Sequence, residues 1–248
     1  MERKDFLRNS LGLIGTSSLI IGACKKSADV SATATGSSSG STSTGSGSCI
    51  VTAEEVEGPY PYVGGEITNP LQRTDVTGGQ TGLPLAITFN VVNTNNSCAV
   101  VSNARVDIWH CNKDGYYSGY GSQTGGALGT QSYLGETWLR GYQITDANGV
   151  AKFTTIYPGW YQGRATHIHL EVFVNNVLKK TGQITFSETI SDAVHQTTLY
   201  AAHGINTTRN AADGIFNNSA TDLANETVAL TGSISSGYSG SYTIGLAL

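Results

Sequence analysis

The densest chemistry in the chain is Arg164-Ala165-Thr166-His167-Ile168-His169. In an extended strand, side chains i and i+2 point to the same side. His167 and His169 therefore share one face, and Ile168, Leu170, Val172 and Val174 share the other. An apolar face of this kind anchors a strand on a core and aims the two imidazoles outward. Two neutral imidazoles one pleat repeat apart can chelate a first-row transition metal, although His-x-His pairs are also common surface features that hold nothing. Upstream lie two tyrosine-bearing stretches punctuated by Gly and Pro: Thr155-Ile156-Tyr157-Pro158-Gly159-Trp160-Tyr161, and Trp109-His110-Cys111-Asn112-Lys113-Asp114-Gly115-Tyr116-Tyr117-Ser118. Most of the 12 tyrosines should be amphipathic rim residues.

Six features recur in a fixed order. They are Glu57-Gly58-Pro59-Tyr60, Trp109 followed by Tyr117, Thr145-Asp146 with Gly149, the Pro-Gly-x-Tyr of Pro158 to Tyr161, Arg-x-x-His-x-His from Arg164, and Gln183 before Phe186. Each alone is modest, but their joint order resembles the intradiol ring-cleaving dioxygenases, the non-haem ferric family that includes protocatechuate 3,4-dioxygenase and catechol 1,2-dioxygenase. The resemblance runs from Glu57 nearly to the C-terminus. It implies an Fe(III) cofactor held by Tyr117, Tyr161, His167 and His169. Two hard phenolate oxygens suit a trivalent ion, and a bound cation ionises phenols that would otherwise stay neutral near pH 7. It also implies catalytic roles for Arg164 beside the substrate, for Tyr161 as proton acceptor, and for Gln183 near the site. A guanidinium that cannot deprotonate would stabilise negative charge on the reacting ring. The implied reaction is cleavage of a catecholic substrate by O2 between its two hydroxylated carbons, giving a muconate-type dicarboxylate.

The chain departs from the family pattern at Ala165 and Thr166, where the family usually has a Pro between the Arg and the His pair. It also has no room for the helical dimerisation segment of catechol 1,2-dioxygenases, so the secreted single-domain branch is the nearest match. His110 is expected to be structural, and His195 and His203 to be solvated or capping residues. Two other classes compete. A cupin-like metal oxygenase needs a Glu several residues after His-x-His and a further distant His, whereas Glu171 follows after a single residue. A membrane-anchored β-sandwich binding module would grip its ligand with aromatics and no metal.

These side chains need strands and loops to position them. Leu85, Ile87, Phe89 and Val91 alternate with polar or small residues, as do Ala104, Val106 and Ile108, which is the period-two signature of half-buried strands. Further strands are expected at Tyr142–Ile144, Val150–Ile156, Ile168–Val174, Gln183–Phe186, Thr227–Ile234 and Tyr242–Leu246, with turns at Asn95-Asn96 and a hairpin signal at Asn148-Gly149. A short helix is expected around Ser191–Ala202. Closely spaced strands with Gly-rich turns predict an all-β protein, an antiparallel β-sandwich whose long loops form the metal site.

The length of 248 residues fits one ordinary domain. Charged residues are only 13% and the formal net charge is -4, so nothing suggests a nucleic-acid partner, and no protein partner is evident. Arg3, Lys4 and Arg8 precede an apolar run from Leu11 to Ala23 that is too short for a typical membrane span. The run ends in Ile21-Gly22-Ala23-Cys24, which resembles a bacterial lipobox. Residues 1–23 are thus expected to be a lipoprotein-type signal peptide, by a Sec or twin-arginine route, with Cys24 carrying a lipid anchor. Residues 24–48 would be a Ser/Thr/Gly-rich tether, and 49–248 the catalytic domain, held at a membrane in the periplasm or at the cell surface. Of Cys49, Cys98 and Cys111, an oxidising compartment allows one pair, and three pairings are possible.

Overall fold

The computed structural model describes residues 49–248. The expected signal peptide, lipidated Cys24 and tether lie outside the described residues. Within them the strands are β1 (Pro84–Asn93), β2 (Ala99–Val100), β3 (Arg105–Trp109), β4 (Arg140–Ile144), β5 (Val150–Ile156), β6 (His167–Val174) and β7 (Val177–Phe186). Helices α1 (Glu188–His195) and α2 (Ala220–Glu226) follow, and then β8 (Thr227–Val228), β9 (Leu230–Ser233) and β10 (Gly237–Leu246). One sheet runs β2-β1-β10-β9 with β5 also on β1, and the other runs β4-β3-β6-β7-β8.

The two sheets face each other across one apolar layer. Leu85, Ile87, Phe89 and Val91 of β1 meet Val106 and Ile108 of β3, Ile168, Leu170 and Val172 of β6, and Ile184 of β7, all essentially inaccessible. The expected β-sandwich is present, and most strand pairs are antiparallel. Two are not: β1 lies parallel to β10, from Leu85 opposite Tyr238 to Asn93 opposite Leu246, and β7 lies parallel to β8. The first and last long strands among the described residues are therefore neighbours in the middle of this sheet.

Three local expectations change. The Asn148-Gly149 turn forms, with the Gly149 N–H donating to Asp146 O at 3.0 Å, but β4 pairs with β3 whereas β5 pairs with β1. The turn carries the chain from one sheet to the other and is no in-sheet hairpin; Gly149 O accepts from the Val91 N–H of β1 at 2.8 Å, which docks the corner there. The expected strand Thr227–Ile234 divides at Ala229, its first part joining β7 and its second β10. The expected helix begins earlier and ends at His195, and α2 had no signal in the apolar pattern. Cys49 and Cys98 form the disulfide, tying residue 49 to the start of β2, and Cys111 is free and buried.

Candidate metal centre

The outer face of the second sheet is polar, yet it is covered. Across β3, β6 and β7 the register aligns Trp109, His169 and Gln183 in one row, with His167 opposite Thr185 in the next. The period-two reading placed both imidazoles on one face, pointing away from the core, and they share that outer face; the covering over them is what that reading does not contain, for His167 is 2% and His169 0% exposed. The N-terminal segment lies over them. Val56 O accepts from Gln183 Nε2 at 2.9 Å, and Gly58 takes φ 79° where an added Cβ would stand 3.0 Å from His169 Cε1. A residue without a side chain lets the backbone approach the ring that closely without displacing it. Trp109 stacks on His169, with centroids 4.9 Å apart and planes at 7°.

The tyrosines arrive on loops. Tyr117 sits in the long β3–β4 connection, and Gln123 brackets its backbone: Gln123 Oε1 accepts from the Tyr117 N–H and Gln123 Nε2 donates to Tyr117 O, both at 2.8 Å. Arg140 secures the next residue, with Nε donating to Ser118 Oγ at 2.8 Å and Nη2 to Ser118 O at 2.7 Å. Tyr161 comes from the β5–β6 connection, whose Gly159 passes so close to Asn112 O and Lys113 O that no side chain would fit. Tyr161 meets Tyr117 and His167 edge-on, with centroids 5.7 and 5.6 Å away.

Three polar atoms converge. Tyr117 Oη lies 3.2 Å from His167 Nε2 and 3.1 Å from His169 Nε2, and the two Nε2 atoms are 3.0 Å apart. Burial first, then the neighbouring Tyr161, pushes the Tyr117 phenol well above its usual range, and burial raises Tyr161 to about 12 against the lowering effect of Arg164. Burial first, then Arg164 for His167 and His167 for His169, drives both imidazoles down. Without a cation all four groups are neutral.

This donor set fits a metal. His167 Nδ1 donates to Ala165 O at 2.6 Å, which leaves Nε2 as a lone pair, the arrangement second-shell partners impose on a ligating imidazole. Adjacent ligands at right angles on bonds of about 2.1 Å stand about 3 Å apart, and the observed spacings match. His169 Nδ1 is buried without a hydrogen-bond partner among the described residues, so that ring is oriented by stacking on Trp109. Among the described residues, no group of three or more His, Cys, Asp and Glu is placed to hold a metal. A metal here would therefore draw on tyrosine oxygen, the donor a hard trivalent ion prefers. The cupin-like alternative has no support in this geometry, since Glu171 accepts from Thr181 Oγ1 at 3.2 Å and Tyr117 and Tyr161 are the phenol rings beside the His pair.

Arg164 reaches the same centre. Its Nη1 lies 3.4 Å from Tyr161 Oη, Nη2 donates to Gln183 Oε1 at 2.6 Å, and Nε pairs with Asp213 Oδ2 at 2.9 Å. All the residues singled out from the sequence, Tyr117, Tyr161, Arg164, His167, His169 and Gln183, are thus brought together. The sequence reading missed Asp213, which lies in the segment after α1 and carries no motif. It also quoted Tyr60 within Glu57-Gly58-Pro59-Tyr60 without a role, although Tyr60 stacks on Tyr117 with centroids 4.6 Å apart. His110 is structural as expected: it is buried, with Nε2 2.7 Å from Thr155 Oγ1. His195 is not solvated but buried in the last turn of α1, with Nε2 near Pro158 O, whereas His203 is half-buried and stacks on Trp160 at 3.5 Å.

Comparison with known proteins agrees with this geometry. The family pattern described as Dioxygenase matches residues 56–224. Catechol 1,2-dioxygenase 1 of Acinetobacter lwoffii is 26% identical over 150 residues, a match covering 53% of this chain and 45% of that protein. Among solved structures, an intradiol ring-cleavage dioxygenase from Tetranychus urticae superposes with a TM-score of 0.69 at 28% identity, over 80% of this chain and 94% of that one. The dioxygenase domain of a dioxygenase carbohydrate-binding protein fusion from Streptomyces sp. SirexAA-E shares the fold, with a TM-score of 0.56 at 21% identity over 80% of this chain and 99% of that one. With its polar ring cluster built on the same sandwich, the chain belongs to the intradiol ring-cleaving dioxygenase family.

Proposed function

We propose that this protein is an Fe(III)-dependent intradiol dioxygenase that cleaves a catecholic compound with O2 to a muconate-type dicarboxylate. The observation that carries the reading is the convergence of Tyr117 Oη and the Nε2 atoms of His167 and His169 within 3.0–3.2 Å of one another, beside Tyr161 and Arg164. Tyr117, Tyr161, His167 and His169 would hold ferric iron, which when bound supplies Lewis acidity toward the two catechol oxygens and the route for O2 to react with the ring.

The chain's own residues do the rest. Tyr161 Oη accepts a proton from a catechol hydroxyl, and the Arg164 guanidinium within 3.4 Å favours the ionised phenol before that transfer. Arg164 stays charged throughout and stabilises the anionic ring as it reacts. Gln183 Oε1 accepts from Arg164 Nη2 and keeps that edge of the guanidinium turned toward the site. Tyr60, stacked on Tyr117 and edge-on to Tyr120 and Tyr161, covers the centre and limits water. The lipobox-like Ile21-Gly22-Ala23-Cys24 supports export and anchoring through Cys24 in a membrane, with the domain on a tether.

The test is to load the purified chain with iron and follow O2 uptake against a panel of catechols. The wild type should be coloured by phenolate-to-iron charge transfer, and Tyr117→Phe and Tyr161→Phe should each shift or weaken the band. A colourless protein holding stoichiometric zinc would defeat the ferric assignment. A coloured one that consumes no O2 with any catechol would defeat the enzyme assignment. Cys24→Ser should abolish membrane association and fatty-acid labelling without lowering turnover, and persistent acylation of that variant would show the lipobox to be misread.

A further inference from the structure

The peptide that joins Arg164 to Ala165 is gripped on both sides by one segment. Its carbonyl accepts from Asn206 Nδ2 at 2.9 Å, and its N–H donates to Asp213 Oδ2 at 2.6 Å. The same carboxylate oxygen accepts from Arg164 Nε at 2.9 Å. The other oxygen, Oδ1, accepts from the Ile215 N–H at 2.8 Å, so the carboxylate is itself fixed by its own loop. Asp213 is 0% exposed. One residue on, Ala165 O accepts from His167 Nδ1 at 2.6 Å. A proline at 165 would set φ by its ring and have no N–H to offer. Ala165 has a buried N–H and a freer backbone, and Asp213 takes up the one and restrains the other.

Arg164 is only half-buried. An arginine side chain left to itself loses much rotamer freedom when held in one geometry. With Nε and the adjacent peptide N–H bound to one oxygen, the fork has a single orientation, in which Nη1 faces Tyr161 Oη and Nη2 faces Gln183 Oε1. We infer that Asp213 is a positioning residue for the reaction: its Oδ2 locks the Arg164 guanidinium and the Arg164–Ala165 peptide into the geometry in which that charge meets the substrate. This rests on the reading of Arg164 given above, and no proton or bond changes hands at Asp213.

The closing experiment reads the contact and its consequence separately, on the full-length chain. In the metal-free protein, 15N NMR of the Arg164 Nε–H, assigned by its loss in Arg164→Lys, should show slow exchange with water. In Asp213→Asn, an isosteric change that keeps an acceptor but removes the charge, exchange should quicken at least tenfold. In the iron-loaded protein, Asp213→Asn should keep its iron content and its KM for a good catechol within about twofold, while kcat falls by roughly ten- to a hundredfold, the scale of a misplaced catalytic group. Arg164→Ala should regain turnover on adding guanidinium ion, and Arg164→Ala/Asp213→Asn should not, because the carboxylate that retains the ion is gone. Unchanged exchange, wild-type kcat in Asp213→Asn, or equal rescue of both alanine variants would each overturn the inference. So would loss of iron from Asp213→Asn, which would make Asp213 a support of the His pair. A wild type that takes up no O2 would sink the proposed function instead, and the exchange measurement would still decide whether Asp213 holds Arg164.

Discussion

Gly58→Ala should destabilise the domain distinctly more than Gly79→Ala, although both glycines have positive φ, 79° and 83°. The left-handed backbone costs any L-residue about 1–2 kcal/mol, and that cost is common to both. At Gly79 a new Cβ would meet nothing within 4 Å, whereas at Gly58 it would stand 3.0 Å from His169 Cε1. The imidazole has nowhere to retreat, since Trp109 stacks on it at 4.9 Å and Tyr117 meets it at 6.0 Å. Forcing one methyl into a packed contact of this kind costs about 1–3 kcal/mol more. For a domain of this size, 1 kcal/mol moves the melting temperature by about 3 °C, so the two variants should melt about 3–9 °C apart. Calorimetry on the metal-free proteins measures this without linkage to bound iron. Equal melting temperatures would refute the argument that Gly58 is required by the approach to His169.

Arg164→Leu should retain iron, colour and the substrate-induced spectral change while O2 uptake falls by roughly two orders of magnitude or more, as when one charge-stabilising donor is removed; His167→Ala should lose iron and activity together. Full turnover in Arg164→Leu would leave it a structural residue, and loss of iron there would make it a support of the ligands. Glu226 is buried, and burial first, then the adjacent Glu55, pushes its carboxyl up to about 8 from 4.5. A carboxyl raised in the folded state binds more protons there than in the unfolded chain, so its contribution to stability declines as pH rises from about 4.5 through 8. Glu226→Gln should therefore melt above the wild type at pH 9 and with it near pH 4, and identical melting at both would refute the assignment.

The strands and the chemistry were legible in the sequence because both are local. The alternation of Leu85, Ile87, Phe89 and Val91, and of Ile168, Leu170 and Val172, follows from the two-residue pleat, and the same pleat puts His167 and His169 on one face whatever surrounds them. The motif order carried the family, and with it the pairing of Tyr117 and Tyr161 with those imidazoles. Neighbour relations were a different matter. A turn such as Asn148-Gly149 specifies a change of direction, but whether the two strands pair depends on which sheet has an open edge for each, and here β3 takes one and β1 the other. Period two likewise says which face a histidine occupies and nothing about what will lie on that face. The burial of the pair was decided by segments folding over it, two of them far away in the chain, around Gly58 and Tyr117, and one close by, around Tyr161. Cys49 found Cys98 and left Cys111 buried and free because the Cα atoms of Cys49 and Cys98 come to 5.7 Å at the start of β2, a distance set by the sandwich and invisible in three equivalent pairings. Asp213 is separated from Ala165 by 48 positions and sits in no repeating pattern. Its contact with Arg164 exists only because the chain after α1 is brought back across the β5–β6 connection, and a contact made by such a return has no signature in the residues that flank it.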